Sequence, residues 1–338
     1  MTDQYFSPLG DKILVDAPPM PKNMMVELSN ACNHACVFCA NPYATRKIGR
    51  INSDLLFRIM SEARQGGVEE IGFYTTGEPF VHKDLTKFTR QAHELGYSYI
   101  YISTNGAMAT PNRAKAVIDA GMDSIKFSIN AGSRETYKKV HGKDEFDLVL
   151  ANLQFISKYR QTLDRPLRLF VTFIVTKLTA HEVRSFRERV SQFVDDVFFH
   201  ECTTQSGQMA DAPDLLRNAE LKRDDLSPIC SMPFNRLHVT CECYLTLCCT
   251  DYQNYLAVAD LNAMSLTDAW ISEDFRSARR RHLENDLAGT LCGNCWLGRR
   301  DSIQALVPAL SAPLEYPKFY QEVVDQVRDR ITDEPSKK

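Results

Sequence analysis

Three cysteines fall within eight positions of the stretch SNACNHACVFCANP (29–42): Cys32, Cys36 and Cys39, separated by three and then two residues. Thiols this close together are metal ligands or redox partners. A structural zinc site takes four ligands, and the next cysteine along the chain is Cys202. Three thiolates instead hold three irons of a [4Fe–4S] cluster and leave the fourth iron open, whereas a purely electron-transferring cluster takes a fourth cysteine. A zinc loop that borrows a distant ligand is the alternative. A second set, Cys230, Cys248, Cys292 and Cys295, is spread over three segments. One metal centre joining them would organise a region thin in apolar residues, and either a four-iron cluster or a zinc ribbon fits that spacing.

The elements that must position these thiols are legible in the hydrophobic pattern. Short β-rich runs near 24–29, 70–75, 99–104, 124–129, 168–175 and 196–201 alternate with amphipathic helical stretches, which predicts successive βα units on a parallel sheet. Ser53 reads as the N-cap of one helix, Gly66–Gly67 as its stop, and 145–160 as another helix. Right-handed crossovers with sequential strands adjacent curl six such units into an incomplete (β/α)6 barrel, TIM-like but laterally open. Ligands then gather at the C-terminal strand ends, and the three cysteines lie in the loop after the first strand. The rhythm breaks after about residue 205. A polar linker covers 206–227, and a small cysteine-rich α/β region covers 228–300. That region holds a hairpin from RLHVT and YLTLC, helices at 265–270 and 272–285, and the knuckle CGNC. An amphipathic helix and tail complete 301–338.

The CxxxCxxC pattern, with the aromatic Phe38 before its third cysteine, resembles the radical SAM enzymes. In that family the open iron is chelated by the amino and carboxylate groups of S-adenosylmethionine. An electron from the cluster then cleaves the sulfonium to methionine and a 5′-deoxyadenosyl radical. Three further segments match at successive strand ends. TTGEP (75–79) resembles the family's Gly-Gly-Glu-Pro motif, which receives the methionine amino group, and implies roles for Thr76, Gly77 and Glu78; it departs at Thr76, where glycine is usual. STNG (103–106) resembles the ribose-contacting segment, with Ser103 and Asn105 as hydroxyl partners. Ser128, in SIN (128–130), stands where the family often holds the ribose or the methionine carboxylate. The resemblance covers 20–205, the expected radical SAM partial barrel.

The C-terminal cysteines resemble the module called SPASM in its shortened twitch form, which implies one auxiliary [4Fe–4S] cluster on Cys230, Cys248, Cys292 and Cys295, because no cysteine follows Cys295. Cys248 and Cys249 are adjacent. In an extended segment they point to opposite faces, so one reaches the cluster and the other, Cys249, is the candidate hydrogen-atom donor. The hairpin turn usually carries Asp-Gly and here carries Glu242-Cys243, which removes the residue suited to positive φ. Cys202, Cys241 and Cys243 match no motif and read as packing thiols.

Composition narrows the setting. In 338 residues 44% are apolar and 25% charged, with a net charge of −3 that offers no basic footprint for nucleic acid. No apolar run reaches membrane-spanning length and no signal peptide opens the chain, so it reads as a cytoplasmic protein whose eleven cysteines stay reduced. The resemblance implies dehydrogenation if the auxiliary cluster takes an electron from the substrate radical, and epimerisation if a thiol returns a hydrogen. Only 31 residues precede Cys32, too few for a folded leader-binding domain. A small sugar-like or amino-cyclitol-like substrate is therefore expected, with a flavodoxin or ferredoxin as electron donor and a peptide substrate as the runner-up. His200, Glu201 and Gln205, at the end of the sixth strand, are candidate substrate contacts. A zinc-binding scaffold protein is the non-enzymatic alternative.

Overall fold

Alternation decides the sheet. In β3 (Tyr99–Thr104) Ile100 and Ile102 are buried while Tyr99, Tyr101 and Ser103 are half-open, the signature of a strand with helices on one face only. The computed structural model describes residues 13–209, 216, 229–296, 301–313 and 316–332. Six parallel strands appear at the expected places: β1 (Asn23–Val26), β2 (Glu70–Gly72), β3, β4 (Ser124–Ser128), β5 (Arg168–Val175) and β6 (Asp196–Glu201). They pair in sequence order, β1 does not pair with β6, and the curl stays open. β1 and β2 end about three residues early. Glu27 N and Phe73 N each make one more bond to the neighbouring strand, to Val239 O and Tyr101 O, and beyond them the backbone bonds to loops, Leu28 O accepting from Ile51 N and Ala31 O from Glu78 N.

Between the strands lie α1 (Ser53–Gln65), α2 (Leu85–Glu94), α3 (Pro111–Asp119), α4 (Arg134–His141), α5 (Phe146–Tyr159) and α6 (Val183–Val190). Asn52, not Ser53, caps α1: its Oδ1 accepts from Leu55 N at 3.0 Å, because one residue earlier the backbone is still extended.

The cysteine-rich region extends the same sheet. After the helical turn α7 (Met232–Asn235), β7 (Arg236–Val239) pairs in parallel with β1, and β8 (Tyr244–Thr246) and β9 (Ala257–Asp260) follow antiparallel, so the strand order runs β6-β5-β4-β3-β2-β1-β7-β8-β9. The expected hairpin is present, but it shares its hydrogen bonds with the barrel. At its turn Cys243 takes φ 64°, doing the work expected of glycine, while its thiol is buried. Helices α8 (Leu266–Trp270), α9 (Glu273–Leu283), α10 (Leu291–Trp296) and α11 (Tyr316–Thr332) complete the described chain. Most of 206–227, expected as linker, lies outside the described residues. No helix among the described residues is long and apolar enough to cross a membrane.

Candidate cluster and cofactor site

The loop after β1 is long, and polar bonds hold it. Ala35 N and Val37 N donate to the His141 and Val140 carbonyls at 3.2 and 2.9 Å, docking the loop on the end of α4. Asn41 Nδ2 donates to Asn30 O and Thr76 O, at 2.8 and 2.9 Å, and ties the loop to the one after β2. Between the thiols Val37 and Phe38 are buried, which leaves Cys32, Cys36 and Cys39 half-open together on the other side. Burial, and then the Glu78 charge, push the Cys32 thiol up to about 12; burial raises Cys36, which also feels the charges of Cys39 and Cys32, and burial raises Cys39 against the hydrogen bonds from Tyr252 and Asn41. Without a cation these sulfurs keep their protons, so a positive metal centre is the partner that would hold three thiolates here.

The residues around the loop fit such a group. The Tyr137 hydroxyl is fully buried, has no hydrogen-bond partner, and lies where it feels the charges of Cys36, Glu78 and Cys32. An orphaned buried donor beside three thiols is the shape of a site for a polar cofactor. Tyr137 stacks on His141 at 4.1 Å. His141 Nε2 donates to Ile129 O at 2.6 Å, so its Nδ1 is the acceptor facing Cys36 Sγ at 3.2 Å. Phe38 meets His141 edge-on.

The motif residues converge on this loop. A Cβ on Gly77 would stand 2.0 Å from Ser29 O and 2.8 Å from Ala31 O, so only glycine fits between the two loops. Thr76, where glycine is usual, has no positive φ; its hydroxyl donates to the buried Glu27 carboxylate. Glu78 is bound on both oxygens. Oε1 accepts from Phe80 N (3.0 Å) and Thr104 Oγ1 (2.7 Å), and Oε2 from Asn105 N (2.8 Å). Its carboxylate therefore fixes the β3 loop before any ligand is considered. Asn105 Nδ2 donates to Asn33 Oδ1 at 2.8 Å and lies 3.9 Å from Cys32 Sγ. Ser103, Ser128 and Thr172 form a hydroxyl ladder across the inner face, with steps of 3.5 and 3.2 Å.

The second cysteine set is assembled from α7's approach, the turn after β8, and α10. Burial raises Cys292 well above its ordinary value, followed by the charges of Cys230, Cys248 and Cys295; Cys230 is pushed to about 12 by burial and by Cys248. The four sulfurs are thus within one another's field. Backbone fit requires glycines here too: a Cβ on Gly293, inside CGNC, would lie 2.2 Å from Leu287 O.

Cys248 and Cys249 do not point to opposite faces. The segment after β8 is a turn, and the two thiols lie close enough to perturb each other. The Cys249 thiol holds Cys248 down to about 6 despite burial, with help from Ser206 and Thr250, and Cys248 in turn raises Cys249 well above its ordinary value. Ser206 Oγ is 3.2 Å and Thr250 Oγ1 3.3 Å from Cys248 Sγ. Cys202, Cys241 and Cys243 are buried, and none of the eleven cysteines, all among the described residues, forms a disulfide.

Of the β6 residues, His200 shares the inner face with Phe198, their rings stacked, whereas Glu201 alternates to the opposite face with Phe199, which packs under α6's Phe186 neighbour Phe173. Gln205 Oε1 accepts from Tyr252 Oη at 2.7 Å, and Tyr252 Oη lies 3.4 Å from Cys39 Sγ. Tyr137, Tyr252 and the buried pair Glu27–Arg46 carried no sequence signal, because each acts through contacts between distant segments.

Residues 26–190 match the family model of the radical SAM superfamily, and residues 230–296 match that of the SPASM iron–sulfur cluster-binding domain. The chain is 29% identical over 154 residues to a Saccharolobus solfataricus protein named "Probable GTP 3',8-cyclase", a stretch that is 46% of each chain. It is 28% identical over 202 residues to a protein of the same name from Metallosphaera sedula, covering 60% of this chain and 56% of that one. The chain thus spans about half the length of the curated relatives it matches. Among solved structures, BtrN in complex with AdoMet and 2-DOIA has a TM-score of 0.54 at 19% identity, covering 85% of this chain and 96% of that one. Streptococcus suis SuiB bound to S-adenosylmethionine has a TM-score of 0.61 at 12% identity, covering 78% and 69%. At these identities the likeness is one of fold.

Proposed function

We propose, for a chain that is a radical SAM protein with a C-terminal SPASM module, that it dehydrogenates a small polar substrate held on the inner face of its open barrel. Its cofactors are S-adenosylmethionine with its [4Fe–4S] cluster and an auxiliary cluster. When bound, they supply reductive cleavage of the sulfonium, a hydrogen-abstracting 5′-deoxyadenosyl radical, and a second one-electron centre. Cys32, Cys36 and Cys39 hold the first cluster, and Cys230, Cys248, Cys292 and Cys295 the auxiliary one. Thr76 and Gly77 border the methionine end, Glu78 braces the loop that carries Asn105, and Ser103, Asn105 and Ser128 meet the ribose.

The observation that carries dehydrogenation is the mutual reach of four cysteines in the second set, because four thiolates complete a cluster suited to accepting an electron rather than binding substrate. The inner face favours a polar guest. Lys126 stands over the Tyr74 ring at 5.3 Å, and Tyr101 and the Ser103–Ser128–Thr172 ladder share that side. His200 takes the substrate proton or binds its hydroxyl. A cytosolic setting with a flavodoxin or ferredoxin as reductant agrees with eleven cysteines in a chain read as bearing iron–sulfur clusters.

One observation favours epimerisation as the second reading: Cys249 is a half-buried thiol held well above its ordinary value, so it keeps its hydrogen, as a hydrogen-atom donor must. A peptide substrate is a third outcome. The test is anaerobic reconstitution followed by turnover in deuterated water with sugars, amino-cyclitols and short peptides. Dehydrogenation yields about eight irons per chain, 5′-deoxyadenosine, and a product two hydrogens lighter. One solvent deuterium in a product of unchanged oxidation level, lost in Cys249→Ala, would establish epimerisation instead. Zinc without iron would end both readings.

A further inference from the structure

We infer that Tyr252, which comes from the cysteine-rich region, tunes the reduction potential of the barrel cluster by donating a hydrogen bond from its hydroxyl to the Cys39 sulfur. This rests on the ligand role proposed for Cys39. Tyr252 is 4% exposed, and its oxygen sits 3.4 Å from Cys39 Sγ and 2.7 Å from Gln205 Oε1. A tyrosine has one hydroxyl proton to give. The hydroxyl is directed at the Gln205 carbonyl, which leaves the tyrosine oxygen as the acceptor toward a protonated Cys39. A thiolate bound to iron has no proton. The contact then sets two acceptors against each other unless the hydroxyl turns toward sulfur, which needs only rotation about its C–O bond. Among the described residues the sulfur's other donor is Asn41 N at 3.5 Å, and an under-satisfied buried acceptor is costly. Loading the site therefore turns the tyrosine's hydrogen bond toward Cys39, with the Gln205 carbonyl still competing for it.

The geometry keeps the arrangement in register. Gln205, Ser206 and Gly207 all have positive φ (49°, 56° and 79°), a tight left-handed run. Ser206 touches Cys248 and Thr250, and a Cβ on Gly207 would meet Leu291 O and Asn294 Cβ at 2.9 Å, so this run lies against the second cysteine set. Thr45, in the first cysteine loop, donates from both N and Oγ1 to Gln253 Oε1 at 3.1 Å, fastening the residue next to Tyr252. A hydrogen bond to a cluster sulfur stabilises the reduced, more negative state and raises the potential.

The experiment is a redox titration followed by electron paramagnetic resonance on the reconstituted full chain, comparing wild type, Tyr252→Phe and Gln205→Leu. Tyr252→Phe should move the midpoint of the barrel cluster to a more negative value and leave the auxiliary midpoint and iron content unchanged. Gln205→Leu removes the competing acceptor and should move the barrel midpoint the opposite way. An unchanged barrel midpoint in Tyr252→Phe, with both clusters present, overturns the inference. If Tyr252→Phe assembles no barrel cluster, Gln205→Leu decides alone: a positive shift supports the inference and no shift overturns it. Retention of the barrel cluster by Cys39→Ala would instead overturn the ligand role beneath it.

Discussion

The two cysteine regions reach the same end by opposite routes. Cys32, Cys36 and Cys39 come from one loop, with neighbours at 35 and 37 pinned to α4, so sequence spacing alone nearly determines their grouping. Cys230, Cys248, Cys292 and Cys295 come from three segments, and only the packing of α10 against the turn after β8 brings them together. A local site survives as long as its loop does; an assembled site depends on every segment that frames it. The two are joined by a buried ionic link. Arg46 Nη2 lies 2.5 Å from Glu27 Oε2, at the end of β1, and 2.5 Å from Glu242 Oε2, in the hairpin turn. Thr76 and Cys241 complete the contact.

The sharpest separation is chemical. Cys32→Ala, Cys36→Ala or Cys39→Ala should abolish 5′-deoxyadenosine formation while leaving about half of the iron, that of the auxiliary cluster. Cys248→Ala should remove the other half, and Cys249→Ala neither, as iron analysis and spectra of the reconstituted variants would reveal. Deoxyadenosine production undiminished in all three barrel-loop variants would break the comparison.

Cutting the link should disturb both regions. Arg46→Ala leaves Glu27 buried and uncompensated, which costs about 3–5 kcal/mol and should lower the thermal midpoint by several degrees. The pH dependence has a definite sign. Burial works to raise the Glu27 pKa, but Arg46, Thr76 and the Cys241 N–H outweigh it, and the carboxyl lies below its ordinary value of 4.5. Its contribution is then complete above pH 4.5 and lost as pH falls through the lower folded value. Glu27→Gln, though less stable near neutrality, should show a shallower acid limb in stability measured against pH. An acid limb as steep as wild type would show that Glu27 does not carry it.

Smaller effects should tell the regions apart residue by residue. Gly77→Ala and Gly293→Ala each place a methyl against a carbonyl oxygen, at 2.0 and 2.2 Å, and overpacking of this kind costs about 1–3 kcal/mol. Gly77→Ala should weaken S-adenosylmethionine binding and spare the auxiliary cluster. Gly293→Ala should lower auxiliary iron and spare S-adenosylmethionine binding, measured by calorimetry on the same preparations. Identical losses in both variants would mean that the regions do not act separately.

Much was legible because it is local. Six strands follow from runs of apolar residues with period two, and the cysteine loop with its three following motifs from order along the chain. The helix cap moved from Ser53 to Asn52, a one-residue matter of where extended backbone ends. The expected opposition of Cys248 and Cys249 failed for a physical reason: side chains alternate only on a strand, and β8 stops at Thr246. Alternation did hold on β6, where it separates His200 from Glu201.

By itself the sequence determined what is periodic or contiguous: the parallel βα order, the three-thiol loop, the order of the motifs that follow it, and the match to radical SAM and SPASM domains. Tertiary structure alone decided that the hairpin joins the barrel's sheet through β1, that Glu78 spends its oxygens on the β3 loop, that Arg46 bridges Glu27 and Glu242, and that Tyr252 reaches Cys39. Each of these contacts joins residues from separate segments, and a hydrogen bond or ion pair depends on distances of a few tenths of an ångström that no spacing along the chain encodes.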